Sequence, residues 1–462
     1  MKWDVFLPDL ILILGILVIF VLELFLGKRH FKFLTLLGAT VPVLSFFSLF
    51  WVPVNVPIFM ESYSVSSVSL VGKAVIYLLT SLALFASYDY FLRKTSPYGE
   101  LVYLMLSATL GLSLLLSSST LPVLFLSLEL ASISMYIMVA LLKGDYLSKE
   151  ASFKYLVIGS IGTASFGMGS VFYYGATGSM RITVPVSENS LVLLAVLLLL
   201  SALALKVSAV PFHFWTPDAY EGAPAPVTGY LSTVPKVALY FLLVQLATHL
   251  SHVKVWMVMV SVIALLSMFY ANLVAYVQKS VKRLLAYSSV AHAGYFLMGV
   301  VLSDKILASA LLFYASVYAF ATLGAFVVLS VLEKKEGFSH HVADFNGLWR
   351  EKPVLASLLA LFLFALIGIP PMALFVGKLA LFMGLWGKGF SLLALAFAVA
   401  SVISAGYYLR VIVHMFMEEG GRKSLPHVSA GEAFTLLVCG LSVLYLGLFP
   451  QTLFSFIQRA LW

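Results

Sequence analysis

Charge is what this chain has least of. Asp, Glu, Lys and Arg make up 10% of its 462 residues, against about 25% in soluble domains. With 62% hydrophobic residues and a mean hydropathy of +1.04, a soluble globular fold is excluded. Cysteine is limited to Cys439, which excludes an internal disulfide and any cysteine-ligated iron–sulfur cluster held by this chain alone. The apolar–polar alternation of an outer-membrane barrel is missing too, because the apolar runs are continuous and about 20 residues long. No His, Cys or carboxylate cluster has metal-ligand spacing, so no metal site is expected, and no glycine-rich phosphate loop follows a strand-like run. A net charge of +8 would suggest nucleic acid in a soluble protein. Here the positive residues sit in short connections between apolar runs, so the expected partner is the lipid bilayer and not nucleic acid. The first apolar run lies between Asp4 and Lys28-Arg29 and has no A-x-A cleavage site, so it reads as a retained span.

What is there is a series of apolar windows. They fall at 5–26, 31–52, 66–90, 99–118, 120–142, 149–175, 190–212, 224–249, 253–277, 283–302, 305–332, 353–385, 389–417 and 430–450. An all-α polytopic membrane protein with about 14 transmembrane helices is expected. An even number puts both termini on one side. Connections after odd-numbered spans hold 16 Lys and Arg, among them Lys28, Arg29, Lys334, Arg422 and Lys423, whereas the other connections and the termini, including Lys2, hold 6. The positive-inside rule therefore places both termini on the outer, periplasmic side of a bacterial cytoplasmic membrane.

Six basic residues fall inside the windows: Lys73, Lys154, Lys206, Lys236, Lys378 and Arg410. Glu23, Asp89 and Glu129 share that setting, and Glu129 is the most central. Ionisable residues at membrane depth mark ion or proton pathways. Two of the windows look broken. The window 353–385 has 33 residues, about 50 Å if straight, against a hydrocarbon core of ~30 Å. Pro370 and Pro371 interrupt its hydrogen-bond ladder, with Lys378 seven residues on. The seventh window runs into Pro211 and Pro217 just after Lys206, and Pro235 directly precedes Lys236 in the eighth. Broken helices five spans apart, each beside a lysine, suggest two inverted five-helix repeats over spans 4–8 and 9–13. The chain then divides into a three-helix segment 1–98, a first repeat 99–250, a second repeat 251–420 and a C-terminal helix 421–462.

For each embedded group a plain reading stands beside a functional one. Glu129 has Ser127, Ser132 and Ser134 near it on its helix. It is either a protonated carboxyl donating one hydrogen bond or a carboxylate that pairs with a lysine. Lys154 and Lys206 are near enough to the cytoplasmic face to snorkel. Lys236 and Lys378 lie too deep for that. Burial disfavours the charged form of a lysine, so a neighbour's charge can switch whether it holds its proton. His292, ten residues beyond Lys282, is either a packed membrane histidine or a relay that titrates near neutrality, and His213 beside the break admits both readings. The glycines from Gly159 to Gly169 read as close helix packing.

The run LKVSAVPFHFWTPDAYEGAPAPVTGYLSTVPK at 205–236 closely resembles the signature of the antiporter-like membrane subunits of respiratory complex I. Supporting stretches are FLSLELASISMYIMVAL at 125–141, EASFKYLVIGSIGTASFGMGSVFYYGATGS at 150–179 and NLVAYVQKSVKRLLAYSSVAHAGY at 272–295. Within that family the chain is most similar to the N branch, the counterpart of mitochondrial subunit 2. The Pro235-Lys236 pair and the Ala-Thr-Gly-Ser end of the sixth span favour that branch over L and M, and no long C-terminal amphipathic helix of the L type is expected. The resemblance implies proton translocation coupled to electron transfer from NADH to quinone, with FMN, iron–sulfur clusters and quinone carried by other subunits and no cofactor in this chain. It implies subunits M, K and J as membrane neighbours. Matched motif to motif, Glu129, Lys206, Lys236 and Lys378 take the family's principal proton-handling positions, and Lys154, Lys282 and His292 take further positions on the polar axis. A subunit of a multisubunit cation/proton antiporter or of a membrane-bound hydrogenase is the alternative, and a non-conducting scaffold a more distant one.

Overall fold

The computed structural model describes residues 3–26, 30–94, 99–185, 189–335, 337–420 and 426–461. Lys2, Lys28, Arg29, Arg422 and Lys423, counted above for orientation, lie outside the described residues, as do the domain limits drawn at 98 and 421.

The secondary structure is helical throughout, and no strand forms among the described residues. In chain order the helices are α1 (Leu7–Leu26), α2 (Phe31–Ser48), α3 (Ser67–Lys94), α4 (Glu100–Leu116), α5 (Leu121–Val139) and α6 (Tyr146–Thr177). They continue as α7 (Ser190–Lys206), α8 (Trp215–Gly222), α9 (Ala225–Leu231), α10 (Val234–Leu250), α11 (Lys254–Val277), α12 (Val281–Leu297) and α13 (Lys305–Glu333). The last are α14 (Leu348–Glu351), α15 (Pro353–Ile367), α16 (Ala373–Gly387), α17 (Ser391–Phe416), α18 (Ala430–Leu448) and α19 (Gln451–Ala460). Among the described residues ten helical stretches are long and apolar enough to cross a membrane, and α4, α7, α15 and α16 are shorter apolar helices. The short α19 is amphipathic and has no counterpart in the sequence reading.

Local signals set the ends. Asp145 caps α6 by accepting from the Leu147 N–H, and Gly178, at φ 69°, closes it in the left-handed conformation. Asp304 accepts from the N–H groups of Ile306 and Leu307 at the start of α13. Ser429 and Glu432 form a capping box on α18.

Three helices are interrupted, and each interruption leaves backbone groups that must find partners away from water. Between α7 and α8 the chain unwinds over residues 207–214. There the Ser267 hydroxyl accepts the Val210 N–H at 2.8 Å, and the Trp215 indole donates to the Leu205 carbonyl at 3.1 Å. Pro211 lies in this gap. Pro217 does not break a helix: it sits in the first turn of α8, where the missing N–H has no helical acceptor anyway. Between α9 and α10 the ladder fails only at Ser232-Thr233, and Pro235 is the second residue of the new helix. Between α15 and α16, Gly368 at φ 83° ends the first half, and Pro370 and Pro371 occupy the gap.

The most apolar part of the stretch Ala225–Leu250 is wholly buried and that of α13 94% buried, whereas those of α6 and of the stretch Trp3–Leu26 are 28% buried. So α9, the middle of α10 and the middle of α13 are enclosed by other helices. α13 packs against α9, α10, α15, α16 and α18. A polar side chain in those enclosed parts, Lys236 among them, faces protein and not lipid.

Candidate functional site

α5 carries Glu129, Ser132 and Tyr136 at spacings of three and four, so one face presents all three to the end of α7. Lys206 is the last residue of α7, with its side chain 8% exposed. The window 190–212 placed it inside its span, but the helix ends here, because the unwinding begins directly after it. Its Nζ donates to Ser132 Oγ at 2.8 Å and to Tyr136 Oη at 3.3 Å, and lies 3.6 Å from Glu129 Oε1. That last distance is an ion pair just beyond hydrogen-bond reach. Glu129 also accepts from the Thr163 hydroxyl on α6. Lys206 therefore has a hydroxyl and a carboxylate within one small movement of each other. The arrangement suits a change of partner.

A small cavity of about 20 Å³ separates this centre from the next, lined by Ser132, Tyr155, Lys206, Trp215, Pro235 and Lys236. It is room for one water. Lys236 is the third residue of α10 and 2% exposed. Its Nζ donates to Ser289 Oγ at 2.6 Å and to the Ser289 carbonyl at 3.2 Å. Tyr318 on α13 donates to the same Oγ at 2.8 Å.

One turn along α12 from Ser289 stands His292, buried, with Nδ1 2.8 Å from Tyr314 Oη and Nε2 3.4 Å from Tyr408 Oη. Tyr408 is in turn hydrogen-bonded to Ser288. His292 lies within electrostatic range of both Lys236 and Lys378. Lys378, in the second turn of α16, donates to the carbonyls of Leu366 at 3.2 Å and Ile367 at 2.8 Å and to Ser401 Oγ at 2.9 Å. Those carbonyls are ones the broken ladder of α15 leaves open. Its Nζ also lies 5.1 Å from the Tyr295 ring centre.

The structure thus brings Glu129, Lys206, Lys236, His292 and Lys378 into one buried polar series. Three expected members stand elsewhere. Lys154, 42% exposed, pairs with Glu150 and Asp218 at 2.8 Å each, and Arg283 extends that network to Asp218 and Glu221. This is a half-solvated cluster and not part of the buried line. Lys282 is buried but turned to a side branch, donating to Glu333 Oε1 at 3.2 Å and to the Ala223 carbonyl at 2.9 Å. His213 lies in the gap after α7, packed against the rings of Phe214 and Tyr270.

Sequence reasoning missed Glu333, Ser289, Tyr314, Tyr318, Tyr408 and Ser401. Glu333 had a signal, since Lys282 needed a buried partner. The serines and tyrosines had none, because such residues are ordinary in apolar windows.

A chain of apolar helices, three of them interrupted beside buried lysines that each bond a serine hydroxyl, with a buried histidine among them, defines an antiporter-like membrane subunit. Residues 118–404 match the family described as "NADH:quinone oxidoreductase/Mrp antiporter, TM". NADH-quinone oxidoreductase subunit N 1 of Aquifex aeolicus (strain VF5) is 57% identical over 463 residues, covering 100% of both chains. Among solved structures, a chain of respiratory complex I from Thermus thermophilus with bound aureothin is 31% identical with a TM-score of 0.84, covering 97% of this chain and 98% of that one. A chain of the Mrp complex from Dietzia sp. DQ12-45-1b superimposes with a TM-score of 0.89 at 19% identity, covering 100% and 97%. That likeness is one of fold alone, so fold does not separate the two kinds of complex and sequence does. The chain belongs to the NADH-quinone oxidoreductase subunit N family.

Proposed function

We propose that this chain is the proton-translocating N-type membrane subunit of an NADH–quinone oxidoreductase. The observation that carries the reading is the line of embedded groups from Glu129 and Lys206 through Lys236, Ser289 and His292 to Lys378, in which hydrogen bonds join Lys236 and Tyr318 to Ser289, and His292 to Tyr314 and Tyr408. Other subunits of the complex are its partners, with M, K and J as the membrane neighbours. They hold FMN, the iron–sulfur clusters and the quinone. This chain does no redox chemistry and works as the non-redox part of a translocase. It lies in the cytoplasmic membrane with both termini on the periplasmic side. The three-helix segment 1–98, the inverted repeats 99–250 and 251–420 and the terminal helix 421–462 are its functional units.

The chemistry follows from the partners each lysine has. With Glu129 charged and close, the Lys206 ammonium is stabilised. When a neighbouring charge draws Glu129 away, only Ser132 and Tyr136 remain, neutral acceptors that hold an ammonium less well. Lys206 then releases its proton across the small cavity to Lys236. From Lys236 the proton passes by Ser289, Tyr318, Tyr314 and His292 to Lys378, whose serine and carbonyl acceptors again hold it without a counter-charge. Glu129 is 23% exposed, which leaves it open to a neighbouring subunit's charge. Coupling is a succession of such partner changes, each requiring two discrete states of the pair.

Glu129→Ala and Lys236→Ala in the assembled enzyme are expected to abolish most proton pumping in proteoliposomes. Assembled enzyme that pumps as the wild type does would refute the assignment. Co-purification with NADH-oxidising, iron–sulfur subunits separates this reading from a cation/proton antiporter or hydrogenase subunit.

A further inference from the structure

A second buried polar system lies outside the lysine series, in the part of the chain built by α1, α3 and α4. Asp9 on α1 and Lys73 on α3 form an ion pair at 2.8 Å with both side chains 0% exposed. Tyr63 donates to Asp9 and accepts from Lys73 at 2.8 Å. Ser113 on α4 donates to Asp9, and Tyr77 on α3 is 2.5 Å from Ser113. One turn further along both helices, Thr80 and Thr109 are joined at 2.9 Å, and Thr109 is joined at 2.9 Å to Tyr230 on α9. Asp9, Lys73, Tyr77, Thr80, Thr109, Ser113 and Tyr230 are all 0% exposed. These levels stack at helical spacing into a polar seam between α3 and α4. Thr80 lies about 20 Å along α3 from its start, near mid-membrane.

Both ends of the seam lead somewhere. Its inner end, Tyr230, stands across the Ser232-Thr233 break from Lys236. Beyond its other end lies a vestibule of about 640 Å³ lined by Ser66, Ser69, Ser118, Ser119, Gln245 and His249. Ser69 is one turn before Lys73 on α3, and the Gln245 amide bridges Ser66 at 3.2 Å and Ser69 at 2.9 Å. The vestibule belongs to the connections that follow spans two, four, six and eight, the side assigned above to the periplasm.

Packing does not require this arrangement. The same helices meet through Leu12, Ile76, Leu79, Leu106 and Leu112, and a buried ion pair contributes little net stability over apolar residues of like volume. We infer that the seam is a branch of the proton path, releasing protons from the Lys236 region to the outer vestibule through Tyr230, Thr109, Thr80, Ser113, Tyr77 and the Asp9–Lys73 pair. One proton arrives at Tyr230 and one leaves at the vestibule. Each hydroxyl accepts a proton and releases its own, and Lys73 yields one to the vestibule side and regains one from Tyr63 or Asp9. No electrons move. The step between the Thr109 and Ser113 levels is one helical turn, about 5–6 Å, a distance one water spans.

The inference rests on the proton-translocating reading above, and the test separates the two. Thr109→Val keeps the side-chain shape but removes the hydroxyl that joins Thr80 to Tyr230, and it leaves the Asp9–Lys73 pair untouched. In the complex purified with its own partner subunits and reconstituted in liposomes, Thr109→Val is expected to lose part of the proton release per NADH oxidised. Thr109→Ser is expected to retain the wild-type ratio, a rescue that a merely structural threonine does not predict, and Thr80→Val decides the matter if Thr109→Val does not assemble. Wild-type pumping in the valine variants overturns the seam. If Glu129→Ala stops pumping in the same assay, the main reading survives that loss; if Glu129→Ala is silent too, both fall.

Discussion

At the scale of single residues, what decides the site is which acceptor each ammonium finds. The lysines themselves were visible in the sequence, because a charge inside an apolar window has no cheap alternative explanation. Their partners were not. Ser132, Tyr136, Ser289 and Ser401 differ in no way from the serines and tyrosines that merely bond back to their own helix, as Ser160 does to Leu156 at 2.8 Å. Only the meeting of helices sorts them. Gly159 on α6 shows how tightly one meeting is set. A Cβ there would come 2.0 Å from Tyr136 Oη, so Gly159→Ala must push the tyrosine away. Lys206 then loses one of its two hydroxyl acceptors, a hydrogen bond worth on the order of 1–2 kcal/mol. The expected result is assembled enzyme with coupled turnover lowered roughly five-fold or more. Adding Tyr136→Phe should then change little further, since the interaction is already gone. Full additivity of the two variants in turnover would show that Gly159 acts by another route.

At the scale of elements, the windows and the breaks were legible to within a few residues, since continuous apolar runs and prolines leave clear marks. The sense of each proline was less so. Pro217 was read as a breaker and turned out to lie in a first turn, where helices accept proline readily. The true break before it needs no proline at its start: α7 stops at Lys206, and the next residue in the left-handed region is Ser208 at φ 67°. Caps were also under-read. Asp304, ahead of the enclosed α13, bonds two helical N–H groups and pairs with Lys388 at 2.5 Å. Burial would raise its carboxyl, but Lys388 and the N–H groups of Leu307 and Ile306 outweigh that and hold it below its ordinary value. A carboxylate so lowered lends stability at neutral pH and loses it as pH falls through the lowered value, below about 4. Asp304→Asn should therefore lower the unfolding temperature at pH 6, and the gap to wild type should close on acidification. A gap that stays constant with pH would falsify this account.

At the scale of the whole molecule, Lys334 differs from Lys236 and Lys378 in what its ammonium meets. Lys334 was counted as a loop residue that reports orientation, because it follows the last turn of α13. In the fold its side chain is 0% exposed, and Nζ meets Asp89 of α3 at 2.7 Å, Glu432 of α18 at 2.8 Å and the His427 carbonyl at 3.0 Å. One ammonium thus ties the N-terminal segment to the C-terminal helix beside the central α13. Sequence could not supply this, since the two acids lie 245 and 98 residues away and only the closed bundle brings them together. Lys236 and Lys378 have no carboxylate among their hydrogen-bond partners. The difference makes opposite predictions for the same kind of change. Lys334→Met takes the ammonium from the buried Glu432, a loss of about 3–5 kcal/mol for a broken buried pair, while the part-buried Asp89 keeps Arg93 at 3.2 Å. It should lower the yield of assembled complex while each complex that forms pumps the wild-type number of protons per NADH. Lys236→Met leaves no counter-charge exposed, so assembly should be retained and pumping lost. Measuring yield on native gels beside proton release in liposomes tests both at once. A pumping defect in assembled Lys334→Met, or an assembly defect with normal pumping in Lys236→Met, would dissolve the division between tie and relay.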